Sequence, residues 1–127
     1  MYSPAFQDHF LHPRGQGDLP EATHRGEATD SACGDWMALA LRIEAGQVVE
    51  ARYRVRGCPG AIAVGSALMT LLPGRPATHD AVADAEIEGA LGEIPRMKRH
   101  ALRLAHAALA AALGRTARPG GPPEQEC

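Results

Sequence analysis

The residue types best suited to chemistry in this chain are Cys33, Asp35, Cys58 and His100. Cys33-Gly34-Asp35 sets a thiol two residues from a carboxylate, one soft and one hard ligand on a backbone that the glycine lets bend sharply. Cys58 precedes Pro59-Gly60 and an apolar helical stretch, and a helix N-terminus lowers a thiol's pKa and favours thiolate. Two thiolates, a carboxylate and an imidazole would complete a four-ligand zinc site or hold an iron–sulfur unit. Each residue also has a plain structural reading. A buried cysteine is often a small inert hydrophobe, His100 could be a solvated helix histidine, and Asp35 could simply shape a turn. Composition and spacing leave both readings open.

The elements that must position these groups are legible around them. Trp36 to Ile43 alternates, with Met37, Leu39, Leu41 and Ile43 on one side, and Ala45-Gly46-Gln47 supplies turn residues. The return strand, 48–55, places Val49, Ala51, Tyr53 and Val55 on one face and Glu50, Arg52 and Arg54 on the other. Cys33 then lies in the turn entering the hairpin and Cys58 in the turn leaving it, and a hairpin brings those ends together. After Cys58, residues 61–72 carry a helical stripe stopped by Pro73-Gly74.

Farther out, Tyr2, Phe6 and Phe10 repeat every four positions, as in a short helix docking one stripe. Residues 18–31 have no clean period and suit a loop or a weakly encoded edge strand. Thr78 or Asp80 offers a cap for a short helix through Val82, and Ile87, Leu91 and Ile94 suggest another short turn before Pro95. A last long helix is expected from near Arg96 to about Leu113, with Gly114 at its end. Residues 115–127 are rich in Pro and Gly, have little to bury, and are expected to form a disordered tail on a domain spanning 1–114.

The 127 residues suffice for one domain, which would bury about two thirds of its unfolded surface. A net charge of −2 leaves no basic excess for nucleic acid or anionic lipid. No 18-residue apolar run and no signal-peptide pattern is visible, so a cytoplasmic protein is expected. Its three cysteines are then thiols or metal ligands rather than disulfides. Nothing resembles a nucleophile, base and orienting group held together, and a closed four-ligand site lacks the open position catalysis needs. An enzyme is not expected.

The order and spacing of Tyr2-Ser3, Asp8-His9-Phe10, Pro13-Arg14, Ala32-Cys33-Gly34-Asp35-Trp36-Met37, Gly57-Cys58, Ala61-Ile62-Ala63 and Ser66 resemble the IscU/NifU-type scaffold family. The likeness extends through Gly89 to Ala105, including Lys98-Arg99-His100, and covers the chain to about Gly114. It implies an α+β fold, a small antiparallel sheet with helices packed on one face. It also implies a scaffold that carries a transient iron–sulfur cluster, of the two-iron type, held at Cys33, Cys58 and His100, with Asp35 keeping the cluster labile. A cysteine desulfurase and cluster-acceptor proteins are the partners it implies.

Two positions depart from the family pattern. The third cysteine should follow the histidine, but Ala101 stands there and can neither bind metal nor accept persulfide sulfur. Arg96 in Ile94-Pro95-Arg96-Met97-Lys98 replaces the second proline of the stretch that Hsp70-type chaperones recognise. Cys127, thirteen residues beyond Gly114, is a candidate substitute for the missing thiol. These departures keep two other readings in view: a zinc-binding partner that tunes a cysteine desulfurase without building clusters, and a degenerate interaction module.

Overall fold

The computed structural model describes residues 2–30 and 34–114. The expected tail, Cys33 and Cys127 lie outside them. The chain opens with α1 (Pro4–Leu11), whose first turn is capped by Ser3 Oγ accepting from Phe6 N–H at 3.1 Å. Of the four-residue repeat only Phe6 and Phe10 lie in the helix; Phe6 is fully buried, and Tyr2, ahead of the cap, stacks on it with ring centroids 4.4 Å apart.

A three-stranded antiparallel sheet follows in the order β1 (His24–Thr29), β2 (Trp36–Glu44) and β3 (Gln47–Arg56). The aperiodic stretch thus contains an edge strand, β1. It carries little apolar signal because α4 (His100–Ala112) rather than a deep core covers it. Gly26 is what lets that helix approach. A Cβ there would lie 2.1 Å from the Ala112 backbone nitrogen.

In β2 the alternation holds, with Met37, Leu39 and Leu41 buried. In β3 it does not. Val48, Ala51 and Tyr53 are buried while Val49 is exposed, because the pairing shifts between Arg42↔Glu50 and Ile43↔Val48. Val49 is the extra residue of a β-bulge, and a bulge reverses the facing of everything beyond it. The turn Ala45-Gly46 has φ of 53° and 78°, both left-handed.

The buried sheet face packs under α2 (Pro59–Leu71) and α4, giving the α+β fold with its helices on one side. Gly65 in α2 meets the Tyr53 ring, where a Cβ would lie 2.2 Å from Cε2. The Tyr53 hydroxyl donates to Ile62 O at 2.7 Å, and burial raises its pKa well above the ordinary tyrosine range. Buried Ser66 of α2 bonds His9 Nδ1 at 2.7 Å and accepts from Arg14 N–H at 2.9 Å, tying α1 and the following loop to the helix.

No helix forms at 78–82, where the chain makes turns and Val82 is buried. Arg75 closes this loop by donating to Ala81 O and pairing with Glu86 of α3 (Asp84–Leu91). Nor does the last helix begin at Arg96. A 3₁₀ turn spans Arg96–Lys98, and α4 starts at His100 and reaches Gly114 in a left-handed conformation, φ +76°. No helix among the described residues is long and apolar enough to cross a membrane.

Candidate metal centre

At the tip of the sheet opposite the Ala45-Gly46 turn, three chain segments meet. The last ladder pairs, Thr29↔Trp36 and Trp36↔Arg56, bring the ends of β1, β2 and β3 level with one another. One further bond, Asp30 N–H to Asp35 O at 2.7 Å, carries the β1–β2 ladder past its last pair. Side chains alternate between faces, so Asp35 shares the helix-covered face with Met37.

Opposite Asp35 stands Gly57. A Cβ at that position would lie 2.6 Å from Asp35 Cγ, so the glycine leaves the room in which the carboxylate sits. Cys58 then caps α2 in an extended conformation, φ −76° and ψ 168°, with Pro59 in the first turn. Its side chain makes no cap bond to the helix. Gly60 has a matching role: a Cβ there would lie 2.8 Å from Lys98 Cβ, so its absence lets the 3₁₀ turn pack against the start of α2. That packing delivers His100, the next residue but one, into the site.

The His100 Nε2 atom is 3.2 Å from Asp35 Oδ2 and 3.7 Å from Cys58 Sγ. Ligand atoms of Asp35, Cys58 and His100 all lie within 4.8 Å of one another. Asp35 is buried, and the His100 side chain is 15% exposed, so the site is sheltered yet open to solvent at one side. A thiol, a carboxylate and an imidazole at these separations fit one metal-sized centre, with bonds of about 2.0–2.3 Å. A metal bound here would take Sγ as thiolate and displace the thiol proton.

The thiol itself departs from the expectation drawn from the helix N-terminus. Burial pushes the Cys58 pKa up, and the neighbouring Asp35 carboxylate raises it further, outweighing the backbone N–H groups of Ala61 and Gly60 that lower it. A cation placed between Cys58 and Asp35 would reverse both raising effects.

Of the four residues singled out by sequence, the structure brings Asp35, Cys58 and His100 together; Cys33 falls outside the described residues. Ala101 is fully buried, in the core beneath the site. Asp30 was not singled out, yet its Oδ2 lies 3.9 Å from His100 Nε2. Only the strand register, which no local pattern announces, shows that Asp30 stands across from Asp35.

Comparison with known proteins agrees with this architecture. Residues 1–118 match the model of the NifU-like N-terminal domain. The nitrogen fixation protein NifU of Cereibacter sphaeroides is 45% identical over 107 residues, covering 84% of this chain and 44% of that protein. The iron–sulfur cluster assembly scaffold protein IscU 1 of Archaeoglobus fulgidus is 32% identical over 119 residues, covering 89% of this chain and 74% of that one. The chain thus spans less than half of the NifU relative and about three quarters of the IscU relative. In three dimensions it superposes on a protein of Fervidobacterium islandicum AW-1 assigned as the SUF-system iron–sulfur cluster assembly scaffold. The TM-score is 0.72 with 17% identity, over 88% of this chain and 96% of that one, a likeness of fold. A match over residues 1–118, nearly the whole chain, places it in the NifU-like N-terminal domain family.

Proposed function

We propose that this chain is a scaffold on which an iron–sulfur cluster is assembled as cargo and from which it passes to acceptor proteins. The observation that carries this reading is the convergence of Asp35, Cys58 and His100 within 4.8 Å at a sheltered but open tip. Cys33, immediately before Gly34 and Asp35, is the fourth member of the set. The names of the NifU and IscU relatives point the same way.

Each ligand has a distinct part. The thiolates of Cys33 and Cys58 supply soft ligands that iron bridged by sulfide favours, and His100 supplies an imidazole of the kind Rieske-type centres use. Asp35 is a harder and more exchangeable ligand, which suits a cluster that must leave. The chain holds the cargo and performs no independent catalysis. Its sulfur would come from a cysteine desulfurase, working in a cytoplasm that keeps thiols reduced.

The decisive experiment is iron and acid-labile sulfide analysis of protein purified without oxygen, with its visible absorption spectrum. Iron and sulfide in equal amounts, lost in Cys58→Ser, is the expected result. Zinc with neither iron nor sulfide after reconstitution with a desulfurase would overturn the scaffold reading. That result is the one expected of a zinc-binding partner of the desulfurase, the second reading.

A further inference from the structure

The chain lacks a thiol at Ala101, and the structure sets a different donor beside the same histidine. We infer that Asp30 is an additional metal ligand of this site, its carboxylate serving in place of the missing third thiolate. The inference rests on the metal-binding reading above and adds a residue to it.

Three observations carry it. The first is distance. Two ligand atoms on one tetrahedral metal ion, each bonded at about 2.0–2.2 Å, stand about 3.4 Å apart. Asp35 Oδ2 is 3.2 Å and Asp30 Oδ2 is 3.9 Å from His100 Nε2, so Asp30 needs a shift of about half an ångström to share an ion with that nitrogen. The trio of Asp35, Cys58 and His100 is the tighter set, all within 4.8 Å of one another; Asp30 lies outside that set and approaches its histidine.

The second is placement. The bonds Asp30 N–H to Asp35 O and Gly34 N–H to Asp30 O, both 2.7 Å, hold the two ends of the β1–β2 connection together. By the alternation of the strands Asp30 shares the helix-covered face with Ala28, as Asp35 does with Met37. Two carboxylates therefore stand across from each other on one face, an arrangement that like charges oppose.

The third is burial. The Asp30 side chain is 9% exposed and that of Asp35 8%. A cation shared by two carboxylates this sheltered would offset their mutual repulsion. His100, when protonated, supplies one unit; a divalent ion bound at the same nitrogen supplies two. With Asp30 the ligand set holds two carboxylates, so it is harder than the set the sequence resemblance implies and favours iron bound in part through oxygen.

Cobalt(II), added to the metal-free full-length chain without oxygen, is the probe. Asp30→Cys should add a thiolate to the cobalt and raise the sulfur-to-cobalt charge-transfer absorption by about half over wild type, two thiolates becoming three. Unchanged intensity in a folded variant would overturn the inference. Asp30→Ala should weaken cobalt binding about tenfold or more and lower the count of oxygen and nitrogen neighbours by one in X-ray absorption. Weaker binding with an unchanged count would make Asp30 a positioning residue for His100 and refute its role as a ligand. Cys58→Ser separates the two levels of reasoning. If it leaves the charge-transfer absorption untouched, the metal site itself is wrongly placed; if it lowers that absorption while both Asp30 variants behave as wild type, only Asp30 is excluded.

Discussion

The two ends of the three-stranded sheet are built by opposite rules. At the hairpin end, Ala45 and Gly46 turn the chain, a bulge at Val49 interrupts the ladder, and an apolar side chain is left exposed. At the other end the ladder runs regularly to Trp36↔Arg56, and beyond it the Asp35 carboxylate fills the space that Gly57 leaves. The irregular end tolerates strain because solvent covers it. The functional end cannot, since each ligand is placed by another element's close approach. A site assembled from three segments thus depends on the spaces left by Gly57 and Gly60 as much as on its donors.

The largest effect is expected where one substitution reaches both stability and the site. Gly26→Ala would drive a methyl into the backbone at Ala112 and lift α4, the helix that begins with His100. A loss of about 3 kcal/mol in urea denaturation, together with weaker metal binding, is expected. Gly57→Ala should act on the site more than on the fold. Its methyl displaces Asp35, and metal affinity should fall about tenfold, equivalent to about 1.4 kcal/mol. Unchanged affinity by metal titration would mean that Asp35 is not held by this contact.

Asp35 also sharpens the comparison through its effect on the thiol. Because its carboxylate raises the Cys58 pKa, Asp35→Asn should lower that pKa and speed alkylation of Cys58 in metal-free protein at neutral pH. The sign follows from charge: removing a nearby negative group favours thiolate, so the alkylation–pH curve moves to lower pH. In loaded protein Asp35→Ala should lengthen the cluster's half-life in air. Equal or faster loss would remove Asp35 from the release role. Burial, the larger cause of the raised thiol pKa, remains in either variant.

The smallest effect belongs to the hairpin end. Ala45 has φ 53°, a conformation asparagine tolerates better, so Ala45→Asn should stabilise the protein by about 0.5–1 kcal/mol. Metal affinity should not change. A coupled change in affinity would show that the two ends of the sheet are not independent.

What the sequence determined by itself is what local chemistry encodes. Met37, Leu39 and Leu41 state their strand by alternation, Phe6 and Phe10 their helix by a four-residue spacing, and Gly57-Cys58 the break between β3 and α2 by glycine. The hairpin alone was enough to bring Asp35 toward Cys58. Tertiary structure decided the rest. Val48 rather than Val49 enters the core because a bulge exists only in the pairing of two strands, and residues 78–82 remain turns because Arg75 and Glu86 brace them from outside. His100 meets Cys58 because α4 docks on β1 over Gly26 and its 3₁₀ lead-in packs against Gly60. Asp30 joins them through strand register. These are contacts between residues far apart in the chain, and a local period carries no information about which distant surface will fill the space a glycine leaves.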